Sequence, residues 1–174
     1  MKKAQKSKRP ATGPLEMDRC RIGVRPKNDS GYFEQMTKVV FRSGMKWEVI
    51  ENKWPGFQKA FSGFSPTEVA QYDIPEIDRL MQDATVIRNH RKLTATIKNA
   101  QEFLAIRKEH GSFKKYLKQS GQDGETALCR TLSKRFSFLG GSTTLFFLRG
   151  VGEEMPETVR KWREDKMKST SYKT

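Results

Sequence analysis

Residues 33–66 read FEQMTKVVFRSGMKWEVIENKWPGFQKAFSGFSP, and the spacing of apolar and punctuating residues in that run decides the fold class. Phe33, Met36 and Val40 recur at the interval of one helix face, which predicts a first helix over 32–42. Ser43-Gly44-Met45-Lys46 interrupts the pattern. It resumes at Trp47, with Val49, Ile50, Phe57 and Phe61 as the expected core of a second helix. Ser65-Pro66-Thr67-Glu68 then has the composition of a helix start. Ser65 can accept from a free amide, Pro66 suits the first turn and Glu68 can reach back.

Outward from that run the chain continues helix after helix. Asp73 with Glu76 repeats the start signal before Ile77, Leu80 and Met81. Leu93, Ile97, Ala100 and Leu104 form one stripe at helical spacing, predicting a long helix over 89–110. Phe113 and Leu117 mark a short helix, residues 121–124 a turn, and 125–134 another helix. Val86-Ile87 is the only β-like pair, and no internal repeat is found. The expected architecture is all-α. A single helical domain spans 15–168, preceded by a disordered basic arm over 1–14 and followed by a disordered tail over 169–174.

The composition bounds the partners. The chain has 174 residues, 35% of them hydrophobic, and a net charge of +14. That is enough apolar material for one core under a cationic surface, and it points to a polyanion whose condensed counterions Lys and Arg displace. Double-stranded DNA is the expected partner, and the protein is expected to act as a monomer. The segment MKKAQKSKRPATGP carries five cations and no acid. It reads equally as an arm tracking phosphates and as a solubilising tail. Cys20 and Cys129 are too few for a disulfide framework. No apolar run approaches the roughly 20 residues of a membrane span, so no membrane partner is expected. No apolar segment follows the basic N-terminus to make a secretory signal. The expected location is cytoplasmic, associated with the nucleoid.

Residues 132–152, LSKRFSFLGGSTTLFFLRGVG, form a candidate DNA-binding hairpin. One helix ends at Lys134, a tight turn spans 138–141, and Ser142 or Thr143 is expected to cap a new apolar helix. Gly140 and Gly141 would let backbone amides approach a phosphate while the next helix points its positive end at it. Lys134 and Arg135 would add sequence-independent charge. Taken alone, Gly-Gly-Ser is equally an ordinary turn between helices.

Three ungapped blocks in order carry a family resemblance. The first holds Phe33-Glu34, Gly44, Trp47, Phe57, Phe61 and Phe64-Ser65-Pro66. The second, LMQDATVIRNHRK over 80–92, holds Gln82, Asp83, Ala84, Ile87 and Arg88. The third is Phe136-x-Phe138-x-Gly140 with Phe147 and Gly152. Over residues 20–152 the chain resembles the DNA-3-methyladenine glycosylase I family, of the helix-hairpin-helix glycosylase superfamily. The resemblance implies a helical glycosylase domain that flips an alkylated base out of the duplex and hydrolyses its N-glycosidic bond. It places Trp47 in the base pocket as a stacking residue. The loop carrying Gly44, Met45 and Lys46 would lie against DNA, with Met45 as a wedge and Lys46 on phosphate.

The chain also departs from that family. Val39 stands where the family has a base-contacting glutamate, and a valine offers no acceptor to an exocyclic amine. Only RPKNDSG separates the Cys20 segment from Tyr32, so the family's aromatic-rich stretch is missing. Cys20 falls on the first ligand of the family's structural zinc, but the remaining ligands are absent. One ligand of four cannot make a tetrahedral site, so neither zinc nor another cofactor is expected. His90 and His110 are expected at the surface or as caps. Glu153 and Glu154 follow the hairpin, where an acid could serve the reaction or simply open a helix. No catalytic residue is assigned. Residues 159–168, VRKWREDKMK, read as a charged helix anchored by Val159 and Trp162, without a functional account. The alternative reading is a catalytically inactive DNA-binding protein on the same scaffold.

Overall fold

The computed structural model describes residues 23–153, which form eight α-helices and one short 3-10 turn and, among the described residues, no strand. The arm expected over 1–14, Cys20, Glu154, Val159 and Trp162 lie outside the described residues.

Helix α1 (Asp29–Arg42) begins three residues earlier than the apolar pattern suggests, because Asn28 caps it by accepting from the Gly31 amide at 3.0 Å. Its Phe33, Met36 and Val40 are fully buried. A loop over 43–46 leads into α2 (Trp47–Ala60), which buries Ile50, Trp54 and Phe57 at intervals of three and four. The 3-10 turn Ser62–Phe64 follows, with Ser62 and Phe64 in the left-handed region. Such residues cost about 1–3 kcal/mol each. The cost is offset by burial, since Phe64 stacks on both Phe61 and Trp54. Ser65 and Asp73 cap the short α3 (Pro66–Val69) and α4 (Ile74–Gln82), as the sequence pattern predicts.

Helix α5 (His90–His110) is capped by Asn89 and stopped by Gly111 at φ +82°. It runs along α1 and meets α3, α4 and α6 (Phe113–Ser120). Helices α7 (Glu125–Arg135) and α8 (Ser142–Gly150) complete the array. An aromatic cluster joins them to the core. Phe103 of α5 stacks on Phe113 at 4.3 Å, and Phe113 in turn meets Phe136 and Phe147 edge-on at 5.8 and 6.0 Å. The turn between α7 and α8 is thus anchored at both ends by buried rings, which fixes where its exposed tip points.

Candidate nucleic-acid interface

Two loops carry the residues singled out by the sequence. The first, residues 43–46, turns at Gly44 with φ +77°, a conformation that favours glycine. Met45, Lys46 and Trp47 are exposed beside it, Trp47 at 41%. An indole that open at the start of a helix is not a core residue. Its ring rests on one ridge of α1, with the Arg42 guanidinium 3.9 Å and the Lys38 ammonium 5.2 Å from its centroid. Lys38 also lies 5.0 Å from the Trp54 ring and pairs with Glu51 at 2.8 Å. Val39 does not stand open beside this tryptophan. It is 7% exposed and belongs to the main hydrophobic cluster.

The second loop joins α7 to α8. Phe138 adopts φ +62° and is exposed, while Leu139 next to it is buried. Gly140 and Gly141 are exposed, and a Cβ built on either meets nothing within 4 Å. An approaching oxygen atom would therefore find clear access to this backbone. The expected side-chain cap is corrected. Gly141 occupies the cap position at φ +53°, ψ −121°, and neither Ser142 nor Thr143 caps the helix. Ser142 is its first residue, and the Thr143 amide donates to Gly140 O at 3.1 Å. That backbone geometry is open to glycine alone, so the sequence had to place a glycine where a serine or threonine cap would otherwise serve.

Lys134 and Arg135 part ways. Lys134 is exposed. Arg135 turns inward, its Nε donating to Glu102 at 2.8 Å and its Nη2 to Glu109 at 2.9 Å, with the Tyr116 ring 5.3 Å away. Burial opposes its charge, but the hydrogen bonds it donates to the two glutamates outweigh that and raise its pKa. Its charge is balanced within the protein before any phosphate arrives.

Two residues that carry no role in the sequence reading hold the loops in place. Lys92 is nearly buried, and its Nζ donates to Phe41 O at 3.1 Å and Ser43 O at 2.5 Å. Asn99 is 2% exposed and grips Ser137 with both ends of its amide. Behind the second loop, Thr144 Oγ1 donates to Leu139 O and lies 3.1 Å from Ser133 Oγ. A signal was present: Lys92, Thr96 and Asn99 form a polar line at helical spacing beside the apolar stripe of 93, 97, 100 and 104.

Other candidates lie apart. The Glu153 carboxylate is held by Arg25 at 2.9 Å. His90 is exposed at the start of α5, and His110 Nδ1 lies 2.6 Å from Gln119 Oε1. Two recesses, of about 370 Å³ beside Lys53, Lys59 and Thr85 and about 500 Å³ beside Arg25, Leu128 and Glu153, include neither Trp47 nor Val39 in their walls. No helix among the described residues is long and apolar enough to cross a membrane.

The family model described as methyladenine glycosylase matches residues 21–155. The chain is 27% identical over 148 residues to a DNA-3-methyladenine glycosylase of Haemophilus influenzae, covering 74% of this chain and 80% of that one. It is 27% identical over 150 residues to DNA-3-methyladenine glycosylase 1 of Escherichia coli, covering 75% and 80%. Among solved structures it is similar to 3-methyladenine DNA glycosylase I of Staphylococcus aureus, with a TM-score of 0.68, 27% identity and coverage of 82% and 87%. A 3-methyladenine DNA glycosylase I solved with 3-methyladenine bound is similar to the same degree, with a TM-score of 0.68, 28% identity and coverage of 82% and 88%.

Proposed function

We propose, from the premise that this chain belongs to the methyladenine glycosylase family, that it is a DNA-repair N-glycosylase acting on alkylated bases of the 3-methyladenine kind. In this reading it binds duplex DNA through the loops at 43–46 and 136–141, with Lys46 and Lys134 on phosphates. An alkylated base leaves the stack to lie against Trp47, and Met45 fills the gap. Water attacks C1′ and releases its surplus proton to bulk water, the C1′–N bond breaks, and its electron pair leaves with the base. A base alkylated on a ring nitrogen is already cationic, so it departs neutral without an acid to protonate it. Glu51, one turn beyond Trp47, is engaged by Lys38, which fits a reaction that relies on the leaving group. The reading includes no zinc, because the sequence lacks three of the family's four ligands.

The observation that carries it is the exposed Trp47 beside a glycine-turned loop. A protein that only gripped phosphates would have no use for an open indole there. Two observations favour the alternative of DNA binding without catalysis: the Arg42 guanidinium already lies over the Trp47 ring, and Val39 supplies no acceptor. Base release from methylated duplex DNA, resolved by chromatography, separates the two. Release of 3-methyladenine that vanishes in Trp47→Ala, with affinity for undamaged duplex retained, supports the glycosylase. Duplex binding without release of any base supports the binding protein.

A further inference from the structure

Helix α5 buries three polar side chains on one line, Lys92, Thr96 and Asn99. Polar groups are costly to bury unless each is hydrogen-bonded. Thr96 is satisfied within its own helix, donating to Lys92 O at 2.9 Å. Lys92 and Asn99 instead leave α5 and bond backbone remote in sequence. The hydrogen bonds that close the end of α1 run from Ser43 to Val39 and from Met45 to Arg42. The Phe41 and Ser43 carbonyls are taken by the Lys92 ammonium, a cation at the negative end of that helix. Asn99 accepts from Ser137 N at 2.8 Å and donates to Ser137 O at 3.1 Å. An apolar residue at either position would leave those carbonyls or that amide without a partner.

Positions 92 and 99 are seven residues apart, just under two turns, so both side chains leave α5 in nearly the same direction, separated by about 10 Å along the axis. We propose that Lys92 and Asn99 are positioning residues, through which α5 sets the two DNA-facing loops at a fixed separation. Lys92 orders the loop that presents Met45, Lys46 and Trp47. Asn99 orders the hairpin that presents Gly140 and Gly141. Their tasks are separable, because each touches one loop only. The assignment of tasks rests on the glycosylase reading; the fixing of the loops does not.

The test uses Lys92→Met and Asn99→Leu, which keep side-chain size and remove the hydrogen bonds. Three quantities are read in the full chain: affinity for undamaged duplex, rate of base release at saturating protein, and backbone amide exchange. Lys92→Met is expected to slow release about tenfold while affinity for undamaged duplex falls less than about fourfold, as loss of the one Lys46 phosphate contact implies, and Asn99→Leu to weaken affinity for any duplex about tenfold, as losing a net hydrogen-bond contribution in one loop implies. Exchange should quicken over 43–47 in the first variant and over 137–143 in the second. Equal loss of release and affinity in both variants, or exchange that quickens evenly through the core, overturns the proposal and leaves both residues as packing. If the wild-type protein releases no base, the glycosylase reading fails, and the exchange pattern alone decides the positioning. If either variant does not fold, Lys92→Gln and Asn99→Ser, which keep one hydrogen-bonding group, are judged by the same exchange criterion.

Discussion

Replacing Lys134 and Arg135 singly with alanine should give opposite phenotypes, although the two are neighbours in sequence and carry the same charge. Lys134 is exposed beside the hairpin. If it meets one phosphate, its removal lowers the slope of log K against log salt by about 0.9. Between about 50 and 200 mM salt, the wild-type protein then loses about 3.5-fold more affinity than Lys134→Ala. Folding stability should stay within about 0.5 kcal/mol, as for most surface substitutions. Arg135 is bound to Glu102 and Glu109, whose side chains are 40% and 49% exposed. Each such pair contributes at most about 1 kcal/mol in water. Arg135→Ala should therefore cost about 1–2 kcal/mol and lower Tm by roughly 2–8 °C for a chain of this size, with the salt slope unchanged. Fluorescence anisotropy of a labelled duplex across a salt series measures the slope, and thermal unfolding measures the stability. A slope flattened equally by both variants would refute the argument, since it would mean that Arg135 leaves its glutamates to meet the DNA.

The remaining predictions concern the loops and the helix behind them. Gly140→Ala adds a methyl group to open space at an ordinary φ, so it should change stability by less than about 0.5 kcal/mol yet weaken duplex binding measured by anisotropy. Gly141→Ala must hold φ +53°, ψ −121° and should cost about 1–3 kcal/mol in urea unfolding. Gly56→Ala would place its methyl 2.6 Å from Thr85 O, and overpacking of that kind costs about 1–3 kcal/mol; an unchanged urea midpoint would show that the loop after α4 yields freely. Burial lowers the Lys92 pKa. Between that folded value and the ordinary lysine value of about 10.4, the unfolded chain binds a proton that the folded chain does not. The Lys92 contribution to stability therefore rises with pH across that alkaline window and falls again as pH drops through the folded pKa. The stability difference between wild type and Lys92→Met should shift in favour of wild type there, and parallel curves in alkaline urea titrations would contradict it.

Much of the fold was legible because its signals are local. Ser65 and Asp73 sit three residues before the amides they accept from, and the α5 stripe repeats at the helical interval. The start of α1 was misplaced because Asn28-Asp29-Ser30 looks like linker until Asn28 is seen accepting from Gly31. The site was less legible, since its decisive contacts are long-range. Lys92 reaches 49 and 51 residues along the chain to its two carbonyls, and Asn99 reaches 38. No window of sequence shows that a lysine in a helix is bonded to the end of another helix. Arg135 is the same case, with partners 33 and 26 residues away. Trp47 and Trp54 look alike in sequence, and only packing shows that Trp47 is 41% exposed while Trp54, just under two turns later, is a core residue whose Nε1 donates to Glu34 at 2.8 Å.

These contacts bear on how a net charge of +14 should be understood. Among the described residues, Arg25, Lys38, Arg79 and Arg135 pair with carboxylates, while Lys53 and Lys92 donate to carbonyls. A cation already neutralised by a carboxylate has little charge left to displace a counterion, and a buried one cannot reach a phosphate at all. Counterion release counts phosphate contacts, not net charge. Lys46 and Lys134 are different, because each is exposed at the edge of a loop that α5 holds in place. Duplex recognition would then depend less on the size of the positive field than on two loops held apart at a set distance. Loosening a buried hydrogen bond on α5 can therefore harm DNA recognition more than removing an exposed lysine elsewhere on the surface.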